Sequence, residues 1–250
     1  MARAWLDLQP KNMYCTAERV AYCNLVKGYM PPNTARFQNP YREWIGAQIR
    51  ADYFGYINPG DPEAAADMAW RDAAVSHVKN GVYGEMFVSA MIAAAAVESD
   101  IERIIEAGLS QIPATGRLYA AAERVISAYH GGASAEDCMA LIRREWDEHD
   151  AHAWCHVISN AMIVILALLY SRGDFARAIC LAVQAGFDTD CNGATVGSIM
   201  GMRGGSGAIG EEWTAPFRGE LDTGIIGVGR VSIEALARAT LEHKPDARAL

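Results

Sequence analysis

With 250 residues, 51% of them hydrophobic and 21% charged, the chain has ordinary globular composition and enough length to bury a core, which excludes a disordered or collagen-like polymer. A formal net charge of −8 argues against a partner of duplex nucleic acid or a basic membrane-surface role, since both need a lysine- and arginine-rich face. It leaves room for a phosphate-bearing small ligand held by a local positive site or a metal.

Alanine-rich segments with apolar residues at three- and four-residue spacing dominate, and no run of strict alternation rivals them, so the expected class is all-α. Asp61-Pro62-Glu63 predicts a helix start, with an N-cap, proline at the first helical position and an acid in the first turn. That helix is expected to run to about His77, with Asn80-Gly81 closing it. Gly84 to Val97 is small and apolar on every side, which predicts a central buried helix. Ser99-Asp100 opens the next, ending near Gly108, and Gly116 to Tyr129 follows. Ser134, with Glu136 and Asp137 behind it, opens a helix to about Glu148. Trp154 to Tyr170 contains the longest apolar stretch, Ala161 to Tyr170, which is too short for a bilayer and reads as a buried helix. Arg172-Gly173-Asp174 introduces a helix to about Ala185, and Ala194 to Met202 and Ser232 to His243 complete the set. Any short strand is expected in the glycine-rich stretch between the last two. Neither a fixed-period repeat nor a low-complexity linker divides the chain, so residues 1–250 are expected to form one domain.

Six scattered cysteines without a CxxC pair suit a reduced compartment, and the first ten residues carry no apolar run of signal-peptide length; a cytoplasmic location is expected. The stretch richest in chemistry is Gly186-Phe187-Asp188-Thr189-Asp190-Cys191-Asn192-Gly193, between two helices. Carboxylates at i and i+2 in a loop can converge on one hard cation, although Asp188, Thr189 and Asn192 also serve as ordinary caps. Gly193, Gly197 and Gly201 then give the following helix a face on which another backbone can lie close. His149, His152 and His156 share a face only if one helix runs through them; the plainer reading is an exposed helix start with His156 alone buried. Cys191, beside two acids, is expected to be a ligand or a packed thiol rather than a nucleophile. Arg50 can position a phosphate or sit in a structural ion pair with Asp52 or another acid. His77 can cap a helix or face a pocket. Gly81 and Gly84 flank Tyr83 at a helix start, which suits a diphosphate contact, with Tyr83 free to stack on a ring or to pack in the core.

Gly186 to Gly201 resembles the C-terminal signature of the ADP-ribosylglycohydrolase family, relatives of dinitrogenase reductase-activating glycohydrolase. Gly46-Ala47-Gln48-Ile49-Arg50 resembles its Gly-x-x-Met-Arg loop and Ser76-His77 its Thr-His pair. His156 with Asn160 before an aliphatic helix is also similar, and so is the region of Trp213 and Ser232 to His243. The resemblance implies an all-α orthogonal bundle that cleaves the glycosidic bond at the distal ribose of ADP-ribosylated small molecules or proteins with divalent-metal help. It makes Asp188 and Asp190 catalytic and, with Cys191, metal ligands, and it puts Arg50, His77, Gly81, Tyr83, Gly84, His156 and Asn160 around the substrate. Magnesium or manganese is the implied ion, and Cys191 extends the choice to zinc. Motifs that supply the family's other metal ligands, a Gly-Asp-x-x-Gly and a Thr-Asp-Asp, do not occur, so the domain reads as N-terminally truncated, with a homo-oligomer expected to cover the apolar surface thereby exposed. Two further readings follow: a metal-dependent phosphoester or ester hydrolase built on Asp, His and Cys, or a remnant that binds ADP-ribose without cleaving it.

Overall fold

The computed structural model describes residues 2–8 and 15–244. Before Asp61, where the periodicity marks no helix, four short ones occur: α1 (Ala2–Leu8), α2 (Ala17–Val26), α3 (Asn33–Arg36) and α4 (Asp52–Ile57). The main body follows as α5 (Pro62–Ala73), α6 (Asn80–Ala95), α7 (Ile101–Leu109), α8 (Arg117–His130) and α9 (Ala135–Glu145), then α10 (Val157–Tyr170), α11 (Phe175–Gln184) and α12 (Thr189–Gly204). α13 (Glu211–Thr214), an antiparallel pair β1 (Glu220–Asp222) and β2 (Arg230–Ser232), and α14 (Ile233–Glu242) follow. The fold is all-α, with its one described strand pair in the expected glycine-rich stretch. No described helix is long and apolar enough to cross a membrane.

Local chemistry explains several helix starts. Asp61, Asp100, Ser134, Asp174 and Ser232 each accept a hydrogen bond from a backbone N–H of the first turn, and Ser134 forms a reciprocal capping box with Asp137. Such a cap contributes about 1 kcal/mol by satisfying donors the helix itself leaves open. The helix begun at Asp61 stops at Ala73, short of His77, and Asn80-Gly81 opens α6 instead of closing α5. The reason is tertiary: the Thr34 hydroxyl donates to the Val75 carbonyl at 2.6 Å and the Asn39 amide to that of Ser76 at 2.9 Å, so these carbonyls are drawn out of helical register.

Two helices carry the core. In α6 every residue except Tyr83 and Met86 is buried, and in α10 residues 157–169 are all buried. Phe87, Met91 and Ile92 of α6 share one cluster with Ile104 and Ile105 of α7, Leu118 of α8, Met162, Ile163 and Leu166 of α10, and Ile199 of α12. Each such side chain contributes about 1.5–3 kcal/mol of burial. The approach of α7 to α6 requires Gly108, where a Cβ would lie 2.7 Å from atoms of both Met91 and Phe87. By contrast, α14 has no buried residue.

α4 meets α12 through polar groups. The Tyr56 hydroxyl donates to Ser198 Oγ at 2.8 Å, which donates to Asp52 Oδ2 at 2.5 Å, while Asp52 Oδ1 is buried without a partner. Burial pushes the Asp52 pKa up from 3.8 to about 6, against the pull of the Ser198 hydrogen bond. Below about pH 4 the group is protonated folded or unfolded and stability is unaffected. As pH rises from there the folded chain holds the proton longer, so stability falls, and above about 6 the penalty of about 1–3 kcal/mol is complete. Asp52→Asn is therefore expected to raise the urea midpoint at pH 7.5 and to lose that advantage at pH 4; an equal effect at both pH values would contradict this origin.

Candidate functional site

The acidic loop follows α11. Gly186 and Phe187 both adopt left-handed backbone, with φ of +82° and +58°, which reverses the chain so that Asp188 takes the N-cap position of α12. α12 therefore starts at Thr189, five residues before the expected Ala194, and Asp190 lies in its first turn. Ligand atoms of Asp188, Asp190 and Cys191 lie within 4.8 Å of one another, with Asp188 buried, Cys191 half-buried and Asp190 exposed. No other group of three or more such residues is close enough to share an ion among the described residues.

Asn160, fully buried in α10, holds this loop. Its Oδ1 accepts from the Asp188 backbone N–H at 3.1 Å and from Asn192 Nδ2 at 2.8 Å, while its Nδ2 donates to the carbonyls of Trp154 and His156. Cys155 Sγ donates to Asp188 Oδ2 at 3.3 Å, and Cys191 Sγ faces Asp190 at 3.9 Å. Burial raises the Asp188 pKa, opposed by thiol hydrogen bonds and reinforced by Asp190. Burial also pushes both thiols far above their usual range, with Asp188 adding to each, so Cys155 and Cys191 stay protonated and neither is a free nucleophile.

A short extended segment backs the loop. Trp44 bridges His156, the Ile45 N–H donates to Cys155 O at 2.9 Å and the Val157 N–H to Glu43 O at 3.1 Å, which packs Trp44 and Ile45 on Cys155 with Cys191 alongside. His156 is the N-cap of α10: its Nδ1 accepts from the Ile158 N–H at 3.2 Å and its ring lies 4.7 Å from that of Trp146. Burial, with help from Arg117 and against Glu43, lowers its pKa to about 4, so the imidazole is neutral at pH 7. His149 and His152 lie in exposed turns, and no helix runs through the three histidines.

Arg50 and His77 belong to a different cluster. Arg50 donates to Glu18 and Gly46 O through Nη1, to Asp72 at 2.9 Å through Nε and to Ser76 Oγ at 3.1 Å through Nη2, with Glu85 3.7 Å away. All its nitrogens are engaged, and its partners are Asp72 and Glu18 instead of the neighbouring Asp52. Burial raises the Glu85 pKa well above the carboxylate range, opposed by Arg50 and reinforced by Asp72 and Glu18. His77 is buried, its Nδ1 paired with Ser76 Oγ at 2.7 Å, and burial and then Arg50 keep it neutral. Gly81 and Gly84 are close-packing points on α6: a Cβ at Gly81 would lie 2.6 Å from the Arg42 carbonyl, and one at Gly84 would overlap Val157. Tyr83, half-buried between them, packs against the core.

The structure thus brings Asp188, Asp190, Cys191 and Asn160 together with His156 nearby, and gathers Arg50 and His77 around Glu18, Asp72 and Glu85. The Glu18 cluster and the Cys155 contact to Asp188 escaped the sequence reading, and Asn192 entered it only as a possible cap. Cys155 carried the one usable signal, adjacency to His156. The all-helical core thus carries a carboxylate pair at the start of α12, and the comparison with known families says which class of protein this is. The ADP-ribosylglycohydrolase family model matches residues 1–249, and the chain belongs to this family of hydrolases acting on ADP-ribosylated substrates. No curated protein matches it.

Proposed function

We propose that the chain hydrolyses the bond at the anomeric carbon of the distal ribose in an ADP-ribosylated small molecule or protein, at the Asp188 loop. The observation that carries this reading is the convergence of Asp188, Asp190 and Cys191 within 4.8 Å in a chain of this family. The donor set fits a divalent cation: two carboxylates supply hard oxygens and no lysine or arginine pairs with Asp188 or Asp190 among the described residues, so the buried charge of Asp188 calls for a cation. Magnesium or manganese suits the carboxylates, and the thiol of Cys191 favours a softer ion such as zinc. When bound, the ion supplies Lewis acidity toward the sugar hydroxyls and water.

The side chains do the rest. Asp188 and Asp190 put negative charge beside an oxocarbenium-like transition state, where it is worth most because Asp188 is shielded from water. Asn160 fixes the Asp188 backbone, and the neutral His156 offers hydrogen bonds to substrate without adding charge. Arg50 and His77 contribute from behind, Arg50 by holding the Gly46 turn and Ser76, while Gly81 and Gly84 set α6 close against the Arg42 carbonyl and Val157 and so fix where Tyr83 stands. One domain over residues 1–250, a cytoplasmic location and self-association belong to the same proposal. Self-association is supported by exposed Ile225, Ile226, Ile233 and Leu241 in the C-terminal segment.

The test is ADP-ribose release from arginine-, serine- and nucleotide-linked substrates with magnesium, manganese, zinc or chelator. The expected result is chelator-sensitive release that falls by at least about a hundredfold in Asp190→Asn, whose exposed side chain leaves the helical circular dichroism unchanged. Release that persists in chelator, or in Asp190→Asn, would remove this loop from the chemistry. Zinc-selective release of a different ester would favour the Asp/His/Cys hydrolase.

A further inference from the structure

A second concave site lies where α4 and α12 face the C-terminal segment. It has two lobes, of about 670 and 420 Å³, joined at Tyr56, Met202 and Ile233, which line both. Those sizes lie within the range of small-molecule sites. No residue of the Asp188 loop or of the Arg50 cluster lines either lobe. Ser198, on the wall of the larger one, stands two turns beyond Asp190, about 12 Å further along α12. The helix makes room by offering almost no side chain on this face: a Cβ at Gly201 would meet Ile209 alone, at 3.6 Å.

The walls are largely apolar, with Met202, Ile209, Phe217 and Leu236, and no charged side chain lines either lobe. At the junction stands a directed chain of hydroxyls. Tyr56 donates to Ser198 and Ser198 to Asp52, so both protons are committed toward one carboxylate, and the Tyr56 oxygen accepts from no donor among the described residues. Hydrogen bonds in such a chain polarise one another, which makes the open lone pairs of Tyr56 a stronger acceptor than those of an isolated phenol. Asp52 behind them makes no ion pair with lysine, arginine or histidine among the described residues, and with its pKa raised by burial to about 6 it is still ionised at pH 7.5. A negative charge without a counter-charge, presented through an acceptor in an apolar cavity, selects a cationic hydrogen-bond donor on an apolar body and repels carboxylates and phosphates.

We propose that this cavity binds a small organic amine, its ammonium group on the Tyr56 oxygen beside Asp52 and its alkyl or aryl body against Met202, Ile209 and Phe217. The site needs no metal and stands whether or not the Asp188 loop is catalytic.

The test is calorimetry on the full chain with hexylammonium, hexanol and hexanoate, which share one apolar body, at pH 7.5 in phosphate buffer with EDTA, free of amine buffers and of any cation at the Asp188 loop. Hexylammonium is expected to bind at least about tenfold more tightly than hexanol, and hexanoate not at all. Asp52→Asn removes the charge and should bring hexylammonium down to the affinity of hexanol. Tyr56→Phe removes the acceptor and should weaken both. Gly201→Leu fills the larger lobe from a helical position and should abolish binding of either, with circular dichroism confirming that all three variants are folded. Asp190→Asn should bind hexylammonium like the wild type. Hexylammonium that fails to bind, or that binds Asp52→Asn and Tyr56→Phe normally, would overturn the proposal. Hexanol or hexanoate binding as tightly as hexylammonium would overturn the amine assignment, normal binding to Gly201→Leu would overturn the location, and loss of binding in Asp190→Asn would overturn the separation of the two sites.

Discussion

Replacing Arg50 with methionine is expected to cost the folded chain about 3–5 kcal/mol at pH 7.5, among the largest losses available to a single substitution outside the apolar core. Methionine matches the length of the arginine stem but leaves Glu18 and Asp72, 7% and 5% exposed, with no cation beside them and Glu85 buried behind them. The attraction lost is only part of the effect; most of it is the cost of buried carboxylates that no longer have a counter-charge. Their remaining escape is to bind protons. Glu18 already has a raised pKa because burial outweighs Arg50, and loss of Arg50 removes the opposing pull. The folded variant therefore binds protons more readily than the unfolded chain, whose carboxylates keep ordinary values, so its stability rises as pH falls through the raised folded values. The deficit against wild type should be largest at pH 7.5 and should narrow markedly by pH 5. The added change Glu18→Gln should recover part of the loss at pH 7.5, because it removes one of the stranded charges. Urea unfolding of the three proteins at both pH values measures this, and an Arg50→Met midpoint equal to wild type at pH 7.5 would refute it.

That prediction rests on a cluster that the one-dimensional reading reaches only halfway. Arg50 offers an ion pair or a phosphate contact as equal choices, and the nearby acid in sequence is Asp52. The fold turns Asp52 toward Ser198 of α12 instead and brings Glu18, Asp72 and Glu85 to Arg50 from three other helices. Pairing across such separations is set by helix packing and leaves no local trace. Where the determining interaction is local, the reading holds: Asp61, Asp100, Ser134 and Asp174 reach their own first turns, and the unbroken apolar run of α10 permits nothing but burial. The Asp188 loop is legible for the same reason, with three donors within four residues. Its partner Cys155, 33 residues earlier, is joined to it only by tertiary structure. The limit of α5 shows the converse, since Thr34 and Asn39, remote in sequence, capture carbonyls that periodicity alone would have kept in a helix.

Asn160 is the point at which the core and the candidate site become one object, and Asn160→Ala is expected to lose about 2–4 kcal/mol of stability together with cation binding. The side chain is fully buried and uses both ends: two loop donors, the Asp188 N–H and Asn192 Nδ2, converge on its oxygen, and its amide donates to the Trp154 and His156 carbonyls at 3.0 and 2.9 Å. Alanine leaves the Asp188 N–H, Asn192 Nδ2 and the Trp154 carbonyl without this partner, whereas the His156 carbonyl keeps the Ser159 hydroxyl and the residue-160 N–H, and Asn192 Oδ1 is already buried without a partner. Each orphaned group costs more than an ordinary hydrogen bond contributes, because its desolvation is no longer offset. The loop then has no reason to keep Asp188 at the start of α12, and the spacing that gathers Asp188, Asp190 and Cys191 is lost with it. Calorimetric titration with manganese, at a temperature where circular dichroism shows the variant folded, separates loop positioning from general destabilisation. Asp190→Asn should lose cation affinity with stability intact, whereas Asn160→Ala should lose both. Wild-type cation affinity in a destabilised Asn160→Ala would show that α12 positions the carboxylates without α10, and an unchanged melting temperature would show that the four hydrogen bonds carry no net stability.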